Sequence, residues 1–355
     1  MGYLSSSLAL MSLGATKILP PEKKLGVALV GLGNYATRQL GPALRHTQNC
    51  ELRGIVTGTP EKEAQWQQEY GISPEHTYNY QTFDRLAKDK TIDIVYIVLP
   101  NFMHAEYTIR ALEAGKHVIC EKPMGMNAAE CKAMIAAAKK AQRKLQIGYR
   151  LFYEPHHLQM IQLAQGSFDG RIRLIESSLG FDMAHPGMWR IDKDKGGGGA
   201  LMDLGPYCIQ AARRVVGTLP EKVEAQAFVD DPEMYKGIYG TYSWQLSFAD
   251  KTVCNTSATF SAYVDRFHVA NGNQFWELSP AFAANDDLKI RTRSDVQKLP
   301  VAEFQQTTQM DAFAENILNN TPVVASGEEG LIDMQIIDAI KQSIATGKTI
   351  DIDYS

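Results

Sequence analysis

Between an unbroken apolar run at residues 25–30 (LGVALV) and a helical stretch reaching about residue 45 lies Gly31-Leu32-Gly33-Asn34-Tyr35-Ala36. A run without polar alternation is the pattern of a strand covered on both faces. The Gly-x-Gly-x-x-Ala turn after it restricts what the chain can become. Gly31 permits a tight turn, Gly33 leaves bare backbone beside a pyrophosphate, and Ala36 lets the helix approach the strand closely. Exposed amides and the helix dipole then stabilise the anion. The context predicts the first βαβ unit of a dinucleotide-binding sheet, with Gly31, Gly33, Asn34, Tyr35 and Ala36 at the cofactor.

The alternation continues. Strands are expected at 52–57, 93–99, 117–120 and 145–148, and helices at 60–70, 105–114 and 127–142, the last capped by Asn127. This predicts an α/β, doubly wound parallel sheet with helices on both faces. After residue 150 the pattern changes. A helix at 155–165 precedes strand-like segments at 171–181, 222–229, 240–248, 252–260, 265–270 and 274–278, interrupted by one helix at 201–216. Such close succession predicts an α+β unit with a large, mostly antiparallel open sheet. Two helices close the chain; Ser326 and Glu329 are spaced as a capping box, and Gly347 ends the last helix. The 355 residues divide into an arm at 1–24, a nucleotide-binding domain at 25–148 and a substrate-binding and oligomerisation domain at 149–355, in keeping with roughly 150 residues per domain. One apolar face of the large sheet is expected to stay uncovered, giving a homodimer or homotetramer through that sheet.

Thirty-six Lys and Arg against 40 Asp and Glu leave a formal charge of −4, which gives no electrostatic reason to bind nucleic acid or an anionic membrane surface. No apolar run reaches the roughly 18–20 residues of a membrane helix. The five cysteines are odd in number and none forms a CxxC pair, so they are expected as buried, reduced thiols. His156-His157 lacks helical ligand spacing, and no metal is expected. Trp66, Trp244 and Trp276 are expected in the core or at an interface. Residues 3–16 are apolar and Ser-rich like the core of an export signal, yet no charged side chain precedes them. They read as a trimmed leader, which favours the periplasm, or as an arm or frayed end of a cytoplasmic protein.

In a doubly wound sheet ligands bind beyond the C-terminal strand ends. At the second strand end, where an NAD site carries Asp or Glu, stand Thr57 and, five residues on, Lys62; a hydroxyl and an ammonium suit a 2′-phosphate, which points to NADP. Arg38 is a further candidate there. Leu99 and Asn101 end another strand, Glu121-Lys122-Pro123 follows the next, and Asn101 and Lys122 are expected at the nicotinamide crevice. Arg150 lies at the domain junction. Four glycines, 196–199, are costly to order and read as backbone close to a ligand. Asp203 and Tyr207, four apart on the helix predicted at 201–216, would share one face.

GLGNYA (31–36), VLPNFMHAE (98–106), GKHVICEKPM (115–124), IGYR (147–150), WR (189–190), GGGALMDLGPY (197–207) and GEEG (327–330) together resemble the Gfo/Idh/MocA oxidoreductase family from about residue 25 to 353. The likeness is to its glucose–fructose and aldose–aldose oxidoreductase types; Tyr207 stands where most members carry His. The resemblance implies an N-terminal Rossmann domain and an enzyme that oxidises an aldose at C1 to its lactone and reduces a second sugar to an alditol through tightly bound NADP(H). It implies Tyr207 as general acid/base, helped by the charge of Lys122. Lys122 and Asp203 would hold sugar hydroxyls and pair with each other, and Arg150 would contact substrate or cofactor. Trp189, Arg190, Glu121 and His104 would line the nicotinamide pocket, and Thr57 and Lys62 would hold the 2′-phosphate. Pro123 would follow a cis bond. The arm before residue 25 is expected to help retain the cofactor. Other readings are a simple NADP-dependent aldose dehydrogenase or reductase that exchanges its cofactor, and a non-catalytic nucleotide sensor.

Overall fold

The computed structural model describes residues 24–166, 171–229, 231–284 and 288–355; the expected arm, apart from Lys24, falls outside them. Six parallel strands make the first sheet: β1 (Leu25–Val30), β2 (Cys50–Val56), β3 (Thr77–Tyr78), β4 (Ile94–Ile97), β5 (His117–Cys120) and β6 (Leu145–Ile147), in the order β3-β2-β1-β4-β5-β6. The chain winds outward from β1 and then returns to its other side, so the order reverses between β1 and β4. That reversal opens a crevice at the C-terminal strand ends. The helices α1 (Gly41–Leu44), α2 (Pro60–Tyr70), α3 (His104–Glu113) and α4 (Ala128–Ala141) belong to the connections. Asn127 caps α4 by accepting the Glu130 amide at 3.0 Å, as expected.

Beyond β6 come α5 (Pro155–Gly166), α6 (Lys193–Gly196), α7 (Gly199–Asp203), α8 (Gly205–Val216), α9 (Gln305–Leu318) and α10 (Gly327–Thr346). The second sheet contains β7 (Leu174–Gly180), β8 (Pro220–Phe228), β9 (Thr241–Phe248), β10 (Val253–Thr259), β11 (Val264–Asn271), β12 (Gln274–Leu278), β13 (Ile290–Arg291), β14 (Val296–Gln297) and β15 (Ile350–Asp351). Its order is β14-β13-β12-β11-β7-β10-β9-β8-β15. Every described pairing is antiparallel except β7 with β10. Leu179, Trp244, Leu246 and Phe267 alternate onto its buried face, against α5, α8 and α10. The five cysteines are buried and unpaired, and Trp66, Trp244 and Trp276 lie in the core, as expected.

The open face differs from expectation. It carries Glu176, Ser178, Ser243, Gln245, Asn255, Ser257 and Arg266 together with Leu174, Val253 and Val264, so the uncovered side mixes polar and apolar side chains where an apolar face is expected. Three local departures share simple causes. The first helix opens as a π turn over Ala36–Leu40, with the Gly41 amide donating to Ala36 O. Pro42 has no amide for the Arg38 carbonyl and its ring would press against it, so the turn widens. The helix expected at 201–216 breaks at Leu204, and α8 restarts with Pro206 in its first turn; Pro206 stands in the same relation to the Met202 carbonyl. The Ser326–Glu329 capping box does not form: Ser326 makes no side-chain cap and its backbone bridges to Gln146 instead. Gly347 does end α10 in the left-handed region, at φ 65°.

Most consequential for the site is α9. It leaves the second sheet's neighbourhood and packs Met310, Phe313 and Ala314 among Leu29, Ile94, Tyr96 and Ile119 of the first sheet. Its N-terminal residues thereby reach beneath the crevice.

Candidate active site

At the strand ends of the first sheet, and reaching across to the second half of the chain, lies a cavity of about 1270 Å³. Ordinary small-molecule pockets span roughly 300–1,000 Å³, so this one has room for an extended ligand and a second molecule.

One end is built by the glycine turn. Gly31 has φ 93°, and a Cβ there would overlap the Val98 carbonyl oxygen, so only glycine fits. At Gly33 a Cβ would meet nothing within 4 Å; the bare backbone faces open cavity, where a pyrophosphate needs to approach. Asn34 and Tyr35 line the wall. Ala36 does not: it is fully buried in the core beneath, so its contribution is close packing and it makes no cofactor contact. Thr57 and Lys62 both border the cavity beyond β2. Thr57 is buried and its Oγ1 accepts the Thr59 amide at 3.2 Å, while Lys62 is exposed on the first turn of α2. The neighbouring Glu63 leans towards Gln67 Nε2, at 3.4 Å. A hydroxyl and a free ammonium without a carboxylate at the strand end fit a phosphorylated ribose. Arg38 is exposed and is not part of this wall.

The other end gathers residues from both halves. Lys122 follows β5, and its peptide bond to Pro123 is cis, as the resemblance implies. Its Nζ donates to Asp203 Oδ1 at 2.8 Å and to the Asp203 carbonyl at 2.7 Å. That carbonyl is available because of the break before Pro206: the Tyr207 amide bonds Leu204 O at 3.2 Å, not the carbonyl four residues back. Asp203 and Tyr207 therefore sit on two helices, not on one face of one helix. Arg190 Nε lies 3.0 Å from Asp203 Oδ2. Burial pushes the Asp203 carboxyl up, but Lys122 and Arg190 outweigh it and hold it at about 2. Lys122 is raised: burial opposes its charge, and Asp203 and Tyr207 more than offset that. The Tyr207 ring lies between two cations, with Lys122 Nζ 5.0 Å and Arg150 Cζ 5.1 Å from its centroid. Arg150 is buried, held by Gln305 Oε1 and the Phe282 carbonyl. Trp189 and Arg190 line the rim, with Arg190 Cζ 4.5 Å from the indole. An ammonium, a carboxylate and a phenol converging beside a dinucleotide-sized space can hold a substrate hydroxyl and take its proton.

Leu99, Asn101 and Glu121 also border the cavity. Asn101 Nδ2 donates to Gly196 O at 2.9 Å, tying the first half to the glycine run. Glu121 accepts from Tyr96 Oη at 2.7 Å and from the Lys122 amide at 3.2 Å; burial raises its carboxyl. His104 does not reach the pocket. Its ring lies in the core, with Nδ1 2.7 Å from Pro123 O and Nε2 2.8 Å from Leu99 O, so it clamps the two loops that carry Asn101 and Lys122. Burial lowers its pKa, because an apolar setting disfavours the cation. The glycine run at 196–199 packs against protein: a Cβ on Gly196 would overlap the Arg190 carbonyl, and Gly198 has φ 151°. The run therefore serves a tight fold, and none of its residues lines the cavity. Residues not foreseen include Tyr80, Phe181 and Phe282 in the wall; no motif marks them, because distant segments bring them there. Among the described residues no group of three His, Cys, Asp or Glu side chains could hold a metal ion.

Residues 25–149 match a family model described as "Oxidoreductase family, NAD-binding Rossmann fold". Residues 157–276 match "GFO/IDH/MocA C-terminal domain", and residues 284–352 match "Oxidoreductase family, C-terminal alpha/beta domain". A D-xylose 1-dehydrogenase [NADP(+)] of Haloarcula marismortui is 27% identical over 341 residues, 92% of each chain. The crystal structure of an aldose–aldose oxidoreductase from Caulobacter crescentus complexed with glycerol superposes with a TM-score of 0.89 at 35% identity, covering 93% of this chain and 100% of that one. A 3-ketoreductase from Actinomadura kijaniata in complex with NADP and TDP-benzene shares the fold, with a TM-score of 0.80 at 22% identity over 90% of this chain and 98% of its own.

Proposed function

Since the chain belongs to the GFO/IDH/MocA oxidoreductase family, we propose that it is an NADP-dependent sugar oxidoreductase that oxidises an aldose at C1 to the lactone and reduces a second sugar to an alditol on the same retained NADP(H). The observation that carries this reading is the Lys122–Asp203 ion pair at 2.8 Å, with the Tyr207 ring 5.0 Å from the same ammonium, at the strand ends where a nicotinamide would lie. The glycine turn would hold the pyrophosphate, and Thr57 and Lys62 the 2′-phosphate; the bound nicotinamide supplies the hydride acceptor.

The chain's own groups perform the rest. Lys122 and Asp203 orient the sugar ring by its hydroxyls. Tyr207 takes the C1-hydroxyl proton as the C1–H bond is lost, and returns it to the carbonyl oxygen of the acceptor sugar in the second half-reaction. Lys122 and Arg150, both cationic and within about 5 Å of the ring, favour the phenolate that takes the proton in the first step and is regenerated when the second returns it. Asp203 keeps Lys122 charged and in place. The full-length likeness to a D-xylose 1-dehydrogenase [NADP(+)] favours a second reading, in which NADPH leaves after each oxidation.

Incubation of the purified protein with pairs of sugars and no added nucleotide separates the two. Lactone or aldonate together with alditol supports the retained-cofactor cycle. Turnover only when NADP⁺ is supplied supports the simple dehydrogenase, and no sugar product under either condition refutes both.

A further inference from the structure

The first five residues of α9 present three glutamines, Gln305, Gln306 and Gln309, all buried. Gln305 and Gln306 end on residues of the cavity wall, and Gln309 on Tyr96 in the core behind it. Gln305 accepts from Arg150; Gln306 Nε2 donates to Tyr35 Oη at 3.0 Å; Gln309 Nε2 donates to Tyr96 Oη at 3.0 Å. The last contact has a direction. A tyrosine hydroxyl has one proton to give. With Gln309 donating to its oxygen, Tyr96 sends that proton to Glu121 Oε1, 2.7 Å away. Glu121 Oε2 then accepts the backbone amide of Lys122 at 3.2 Å.

The choice of glutamine at 309 has a cost. Its Oε1 is buried without a hydrogen-bond partner among the described residues, and an orphaned buried carbonyl costs about 1–3 kcal/mol. Methionine would fill the same space with no orphan. Stability alone therefore does not account for an amide here; its donor does. The helix is also fixed where it stands, since Gln146 Nε2 donates to the Gln309 carbonyl at 3.2 Å and Phe313 packs into the first sheet's core.

We propose that Gln309 is a positioning residue for Lys122: by orienting the Tyr96 hydroxyl it keeps Glu121 an acceptor, and Glu121 holds the Lys122 backbone at the crevice. The groups that face Glu121 are Tyr96 on β4, Tyr35 on the glycine turn, Lys122 on its own loop and Arg150 after β6. Gln309 acts on Glu121 through Tyr96, while Gln305 and Gln306 of the same helix touch Arg150 and Tyr35. The kinetic consequence rests on the sugar-oxidoreductase reading; the protonation of Glu121 does not.

The test uses Gln309→Glu, Gln309→Met, Tyr96→Phe and the Tyr96→Phe/Gln309→Met double variant. Glu121 is titrated in the full chain by infrared difference spectroscopy, its carboxyl band assigned by loss in Glu121→Gln. Removing the Tyr96 donor, or reversing its direction with a second carboxyl at 309, should move the Glu121 midpoint upward by about one pH unit in Tyr96→Phe and Gln309→Glu. In aldose oxidation, read as lactone or aldonate formed, kcat should fall roughly tenfold in Gln309→Met and Tyr96→Phe, with nucleotide binding unchanged and no further loss in the double variant. A midpoint that stays put in both Gln309→Glu and Tyr96→Phe overturns the proposal, as do additive kinetic losses in the double variant. If Gln309→Glu does not fold, the Tyr96→Phe midpoint and the double-variant cycle decide. Wild-type protein inactive on every sugar would refute the functional reading, and the infrared midpoint would still judge the relay.

Discussion

Replacing Asp203 by Asn keeps the shape of the side chain and removes the charge that two cations share. The carboxyl sits at about 2 in the folded protein, against roughly 3.9 in an unfolded chain. The difference of about two units corresponds to about 3 kcal/mol of stability at neutral pH, at 1.36 kcal/mol per unit. A depressed carboxyl contributes fully above its unfolded value and loses that contribution as pH falls through its folded value, so this share of stability disappears between about pH 4 and pH 2. Asp203→Asn should therefore be about 3 kcal/mol less stable than wild type from pH 7 to pH 5, with Lys122 and Arg190 left without their counter-charge. The gap should narrow progressively below about pH 4. Urea unfolding followed by tryptophan fluorescence at a series of pH values measures it, and kcat should fall alongside because Lys122 is no longer held. A stability gap that keeps its size from pH 7 down to the acid limit of folding would refute the assignment of Asp203 as the anionic partner of both cations.

Tyr207→Phe should leave NADP(H) binding by fluorescence titration unchanged and lower kcat on an aldose by about 10²–10⁴. Gly33→Val should fold with a melting temperature near wild type, since a Cβ at this position meets nothing within 4 Å, and should lose nucleotide binding because the branch fills the pyrophosphate space; NADPH fluorescence reads this directly. Thr57→Asp places a carboxylate at the strand end, so affinity for NADP⁺ should drop at least about tenfold through like-charge repulsion while NAD⁺ binding holds or improves.

The first sheet was legible because its information is local. An apolar run, a glycine turn and a capped amphipathic helix each declare themselves within a dozen residues, and the crevice follows from the winding order. The motif residues were legible for the same reason: Lys122 stands at a strand end, and Asp203 and Tyr207 flank a recognisable glycine-rich segment. Where the reading failed, the cause was mostly spatial. His104 looked like a pocket residue from its place in the strand-end motif, yet its ring turns inward to two carbonyls. The glycines at 196–199 meet the Arg190 backbone and Met126 and lie outside the cavity wall.

By itself the amino-acid order determined the nucleotide turn, the parallel sheet, the antiparallel second half and the ammonium and phenol that face each other, because side-chain periodicity and backbone permissiveness depend on near neighbours. Pro206 belonged to that information too: it interrupts the helix, and the Tyr207 amide turns to the Leu204 carbonyl and leaves that of Asp203 for Lys122. Only the tertiary structure decided that a helix some 160–170 residues after β6 returns to the first sheet and sets Gln309 behind Tyr96 and Glu121. No local preference encodes that contact: it arises from where a distant apolar face finds its complementary core.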